Sequence, residues 1–96
     1  MKQPWEVYRD ALKAGLQGVA ASGSEDLARR SETALEVLSA VRQATLMELT
    51  VGRGWTRRDA RLAIDHLDRA LVNLDREGID ASLKRAWKEF LLRNDR

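Results

Sequence analysis

One histidine, no cysteine and a scatter of carboxylates limit the chemistry open to this chain. His66 stands alone, which excludes a metal centre built on paired histidines within one chain. The absence of cysteine removes disulfides, thiolate zinc sites and cysteine nucleophiles. His66 neighbours Asp65 and follows Asp59 by two helical turns, but no nucleophile stands where an imidazole could activate it. Glu32 and Glu36 are one turn apart and, with Asp65, Asp68 or His66 on a neighbouring helix, form the one set that a metal could bridge. The Glu-x-x-His spacing of di-iron bundles is missing, so the pair reads as a solvated acidic face. Neither pair of glycines makes a phosphate-binding loop. Gly15-Leu16-Gln17-Gly18 lies within a helical pattern, and Gly52-Arg53-Gly54 lacks the Gly-Lys-Ser/Thr ending. The expectation is a chain with no enzymatic activity, no metal and no cofactor.

Recognition chemistry is more concentrated. Arg53, Arg57, Arg58 and Arg61 fall within nine residues in which Asp59 is the one acid, a local balance of +3 in a chain whose net charge is +2. Trp55 sits among them. Guanidinium groups interleaved with an aromatic can contact phosphates and stack on bases, and they are also enriched at protein–protein hot spots. Arginine is electrostatically unfavourable at a helix N-terminus, so Arg57 and Arg58 carry a small penalty where they stand. The candidate partner-binding set is therefore Arg53, Trp55, Arg57, Arg58 and Arg61, directed at another protein with an acidic surface. Nucleic acid bound by the same turn is the alternative.

A second feature is a row of small residues, Ala11, Ala14, Gly15, Gly18 and Ala21. Each glycine costs about 1 kcal/mol relative to alanine inside a helix, so something should offset it. Close packing on the next helix is the first reading. Self-association through Ala11, Gly15 and Gly18, giving a homodimer, is the second.

Helices must position these groups. The longest pattern runs over 24–51: Ser24 is an N-cap, Glu25 and Asp26 favour the positive end of the helix dipole, and Leu27, Ser31, Ala34, Leu35, Leu38, Val41, Thr45 and Leu49 recur on one face. Glu25–Arg29 and Asp26–Arg30 are i,i+4 pairs in the favourable order. Such a helix would be about 40 Å long and could serve as the spine of a bundle. Before it, Pro4 opens a helix over 4–21 with Trp5, Tyr8, Leu12, Leu16 and Val19 on one stripe, closed by Gly23. After it, Thr56 caps a third helix over 57–77, with Asp59 at N3 and Trp55 as the hydrophobic staple. Ala60, Ala63, Ile64, Leu67, Ala70, Leu71 and Leu74 form its stripe, and Arg61, Asp65 and Arg69 form an alternating ladder outside. Gly78 reads as a Schellman cap with Ile79 reaching Leu74, and Asp80 as the cap of a last helix over 81–93. There Leu83, Ala86, Trp87, Phe90 and Leu91 face inward.

The fold class predicted is all-α, a small antiparallel bundle of four helices in a single domain over 1–96, with no run of strand alternation. At 44% hydrophobic and 33% charged residues the chain has the makings of one core, and 96 residues are too few for two. No stretch is long and apolar enough for a membrane span, and Trp5-Glu6-Val7-Tyr8-Arg9-Asp10 stands where a signal peptide would need an apolar run. A cytoplasmic location is the expectation. The leading functional expectation is a non-enzymatic interaction module: a small adaptor, regulator or stoichiometric inhibitor. A structural subunit of a larger homo-oligomer is a further alternative, since helices of unequal length leave apolar positions near their ends.

Overall fold

Helical periodicity becomes helix throughout. The computed structural model describes residues 2–22 and 27–94, with side chains described over 2–18 and 34–93. Helix α1 (Pro4–Ser22) and helix α2 (Leu27–Met47) form the first hairpin, and α2 widens into a π-turn at Glu48–Gly52. Helix α3 (Arg57–Asp68) passes through a 3-10 stretch, Arg69–Asn73, into the one-turn helix α4 (Leu74–Glu77). Helix α5 (Ile79–Asn94) closes the bundle. The fold is an all-α small bundle, with no strand among the described residues. The expected caps at Gly23 and Ser24 and the pairs Glu25–Arg29 and Asp26–Arg30 lie outside the described residues, as do the side chains of Val19, Ala21, Leu27, Ser31 and Glu32.

The hairpin of α1 and α2 is antiparallel. Its start is tied by Arg53, which donates to the Lys2 carbonyl, and further along Gly15 meets Val37. A Cβ on Gly15 would stand 2.4 Å from Val37 Cγ1, so the two helices approach as closely as they do because residue 15 has no side chain. Helices α3 and α5 then cover one end of the hairpin. Trp5, Tyr8 and Leu12 from α1 meet Val41 from α2, Ala63, Ile64 and Leu67 from α3, and Leu83, Ala86, Trp87 and Phe90 from α5. Burying these side chains contributes about 1.5–3 kcal/mol for each of the large ones.

One polar contact crosses this interior. The Tyr8 hydroxyl donates to Asp68 Oδ1 at 2.5 Å, and Arg42 Nε donates to Asp68 Oδ2 at 2.8 Å. Three helices are joined through one carboxylate. Burial pushes the Tyr8 hydroxyl far above its ordinary range, and the bond to Asp68 and its negative charge push the same way.

Several boundaries differ from the sequence expectation, each for a local reason. The long helix does not stay α-helical to Val51. Thr50 Oγ1 bonds the Leu46 carbonyl at 2.7 Å, and Thr50, Val51 and Gly52 are weak helix formers, so the last turn widens at little cost. The third helix tightens at Arg69–Asn73, where the Ser82 hydroxyl lies 3.3 Å from the Asn73 carbonyl and donates to the Gly78 carbonyl at 2.7 Å. Gly78 is not a Schellman cap. At φ 82° and ψ 162° it makes one closing bond, its N–H to the Leu74 carbonyl at 2.9 Å, and its own carbonyl accepts the first bond of α5 from Ser82 at 3.1 Å. Glycine is needed there because an L side chain rarely takes that φ. Asp80 therefore lies inside α5 instead of capping it, and it meets Lys13 at 3.1 Å and Arg9 at 3.7 Å on α1.

The core stripe of α2 also stops short. Val41, Thr45 and Leu49 are buried and Leu38 is half-buried, but Ala34 is exposed and Leu35 is 68% exposed. Leu16, which ends the described part of the α1 stripe, is 42% exposed. Both stripes run out where α3 and α5 end. Leu91, expected to face inward from α5, is exposed as well.

Candidate functional site

The turn between α2 and α3 is held from within. Leu49 is fully buried, and its carbonyl accepts the Trp55 N–H at 2.9 Å. The Gly54 N–H reaches the Thr50 carbonyl at 3.0 Å, and Gly54 has φ 72°. Thr56 caps α3 as expected: its Oγ1 accepts the Asp59 N–H at 3.1 Å, and its carbonyl accepts the Ala60 N–H at 3.0 Å.

Two of the five candidate residues serve this anchoring. The Arg53 side chain is only 13% exposed. Its Nη2 donates to the Lys2 carbonyl and its Nε stands 3.6 Å from Glu48 Oε1. It clamps the segment before α1 to the end of α2. Trp55 is half-buried and stacks on Trp87, ring centroids 6.4 Å apart, while Trp87 stacks on Phe90 at 5.3 Å. The staple thus closes on α5, a partner that local spacing along α3 did not reveal.

The other three stand in solvent. Arg57, Arg58 and Arg61 are exposed and make no ion pair among the described residues. At 100° per residue, Arg58, Arg61, Leu62 and Asp65 share the outer face of α3, with Arg57 at its edge and Arg69 following at the start of the 3-10 stretch. Leu62 is 46% exposed within that face. The expected ladder of Arg61, Asp65 and Arg69 does not close, since Asp65 has no cation within ion-pair distance among the described residues. Arg61 and Asp65 instead border an open groove of about 420 Å³ shared with Arg42, Gln43 and Ile64. Arg42, paired with Asp68, brings α2 to this groove. A window along the sequence could not find it, because it lies eleven residues before Arg53 and joins the face only through helix packing.

The small-residue set divides in the same way. Ala11 is half-buried against the core, Gly15 is in contact with Val37, and Gly18 has open space, with nothing within 4 Å of a Cβ placed there. The first two are used within the chain.

His66 is buried between α3 and α5. Its Nε2 has no hydrogen-bond partner and lies 3.7 Å from Glu89 Oε2, and its ring centroid is 5.8 Å from that of Phe90. Burial lowers its pKa, as do Arg69 and Arg93, against the pull of Glu89. At the α1 N-terminus, Lys2 and Arg9 hold the Asp10 carboxyl below its usual range. The carboxylates that could have joined His66 are elsewhere: Asp68 is bound to Tyr8 and Arg42, and Glu36 borders the seam of α1 and α2. Among the described residues no three acids or histidines gather closely enough to hold a metal. No helix among them is long and apolar enough to cross a membrane. No protein-family model matches the chain, and neither a curated protein nor a solved structure shows significant similarity to it.

Proposed function

We propose that this protein is a non-enzymatic interaction module, an adaptor, regulator or stoichiometric inhibitor, that docks an acidic partner protein on the outer face of α3. The supporting observation is the division of labour in the basic turn. Arg53 and Trp55 fix the backbone, and Arg57, Arg58 and Arg61 then project from a capped helix beside the exposed Leu62. Held on a rigid element, the three guanidinium groups lose less entropy on binding than they would on a loop. A neighbouring leucine supplies the apolar contact that a purely electrostatic surface lacks. A cytoplasmic location and self-association of the module belong to the same reading.

Nucleic acid is the alternative, and one observation weighs against it. The ring that would stack on a base, Trp55, is already stacked on Trp87. Polarisation with a labelled polyglutamate peptide and with labelled single- and double-stranded DNA, at low and near-physiological salt, separates the two. The expected result is peptide binding that is lost in the triple variant Arg57→Glu, Arg58→Glu, Arg61→Glu. Residues 57 and 58 lie in the first turn of α3, where acidic residues suit the helix dipole, and all three side chains are exposed, so this variant keeps its fold. DNA binding with a steep salt slope, flattened by about 0.9 for each reversed arginine that met a phosphate, transfers the face to nucleic acid. Binding to neither probe removes the arginine face as a site.

A further inference from the structure

The groove between α2 and α3 has an apolar floor and charged walls. Ile64, 4% exposed, and the half-buried Leu46 form the floor. Ser39, Arg42 and Gln43 stand on the α2 side, and Arg61 and Asp65 on the α3 side. The two walls differ in how their charges are used. Arg42 Nε donates to Asp68 Oδ2 at 2.8 Å, and Asp68 also accepts from Tyr8, so the α2 wall is close to neutral and held in place. Arg61 and Asp65 are exposed, one helical turn apart, and neither has an ion-pair partner among the described residues. Their order, base before acid, is the less favourable one for pairing along a helix. Both charges therefore stay open to a ligand in the groove.

Along this edge of α3 the sign of charge changes once. Arg57, Arg58 and Arg61 come first, and Asp65 follows about 6 Å beyond Arg61 along the helix axis. Asp59 lies about 160° around the helix from Arg61 and does not line the groove. We propose that the groove receives an amphipathic helix of the partner protein. Its apolar side chain would rest on Leu46 and Ile64, its acidic side chains would meet Arg57, Arg58 and Arg61, and a basic side chain would meet Asp65. The inference rests on the docking role given above to the outer face of α3, and adds that the partner is recognised by an order of charges and not by acidity alone. A groove between two helices accepts a third along its length, and residues four apart on that helix match the one-turn interval between Arg61 and Asp65. An unbroken run of acids would set a carboxylate against Asp65, and like charges placed face to face oppose binding. Asp65 is then the residue that sets specificity: the arginines attract, and Asp65 disfavours partners that are acidic throughout.

Two labelled helical peptides in an alanine host test this by polarisation at near-physiological salt. Each carries a leucine with two glutamates on its N-terminal side. One turn beyond the leucine, the first peptide has lysine and the second a further glutamate. The wild-type protein is expected to bind the lysine peptide about tenfold more tightly, although net charge alone would favour the all-acidic one. Asp65→Lys should reverse the order. Asp75→Lys makes the same change in net charge at an exposed position outside the groove and should leave the order as it is. Residues 65 and 75 are both exposed, so the far-UV circular dichroism of the two variants should stay that of the wild type. Equal affinities, or tighter binding of the all-acidic peptide, that still vanish in the triple arginine variant overturn the proposal and leave the acidic-partner reading standing. Binding of neither peptide removes that reading as well, and so does a face that binds DNA alone.

Discussion

At the scale of single residues, the structure places Asp68 and His66 in roles that their sequence neighbours do not announce. Asp68 reads along the chain as one more carboxylate on α3, yet it receives both the Tyr8 hydroxyl and the Arg42 guanidinium. A bond from a buried hydroxyl to a charged acceptor contributes about 1.5–3 kcal/mol, so Tyr8→Phe should lower stability by about 2 kcal/mol in urea unfolding with an unchanged m value. Asp68→Ala should lower it further, because it leaves both donors without their acceptor. Equal losses in the two variants would mean that Arg42 gains nothing from the carboxylate. His66 gives a signature in pH. Its folded pKa lies below the ordinary 6.5, chiefly through burial. The folded state therefore binds fewer protons than the unfolded one near that pH, and stability should fall as pH falls through 6.5, levelling once the folded pKa is passed. His66 is the one histidine, so His66→Gln should remove this slope whatever it does to stability at neutral pH. A slope that survives the substitution assigns it to another group.

At the scale of elements, what the sequence made legible is what local spacing controls. The helical stripes, the Thr56 cap and the helix break at Gly78 all follow from residues within a turn of one another. Trp55 was legible as a staple and not as a neighbour of Trp87, because thirty-two positions separate them and only the packing of α3 on α5 brings them together. Arg53 likewise reads as a free charge until the antiparallel hairpin delivers the Lys2 carbonyl to it. The two glycines of α1 show how far the same residue type can differ in meaning. Gly15→Ala forces a Cβ to within 2.4 Å of Val37 Cγ1, and overpacking of that kind costs about 1–3 kcal/mol. Gly18→Ala meets no atom within 4 Å, so it should gain up to about 1 kcal/mol from helix propensity alone. Thermal unfolding of both variants should therefore move in opposite directions, and Val37→Ala should recover part of the Gly15→Ala loss. Two shifts of the same sign would show that the glycines act through helix propensity and that the close approach of the helices carries little energy.

For the whole molecule, the controlling fact is that helices of unequal reach cannot all be covered along their length. The chain extends 48 Å in one direction and 22 Å in another. Ala63–Leu67 of α3 and Leu83–Phe90 of α5 lie where α1, α2, α3 and α5 all contribute to the core, whereas residues 34–38 of α2 touch it only through Val37 at the core margin, with Leu38 half-buried. Sequence periodicity could not separate these regions, since Leu35 and Leu38 occupy the same stripe as Val41 and Leu49. Which part of a stripe is covered depends on where the neighbouring helices end, and no residue within the stripe records that. The energetic consequence is a gradient of local stability. Amides in the part of a fold with few buried contacts exchange through partial openings, and those of the common core exchange only on global unfolding. At low protein concentration, hydrogen exchange at 34–38 should therefore proceed with an opening free energy at least about 2 kcal/mol below that at 63–67, and with a weaker dependence on denaturant. Equal protection of the two regions in the dilute chain would mean that the hairpin end is held by contacts that burial does not register, and the division into a covered and an uncovered half would fall with it.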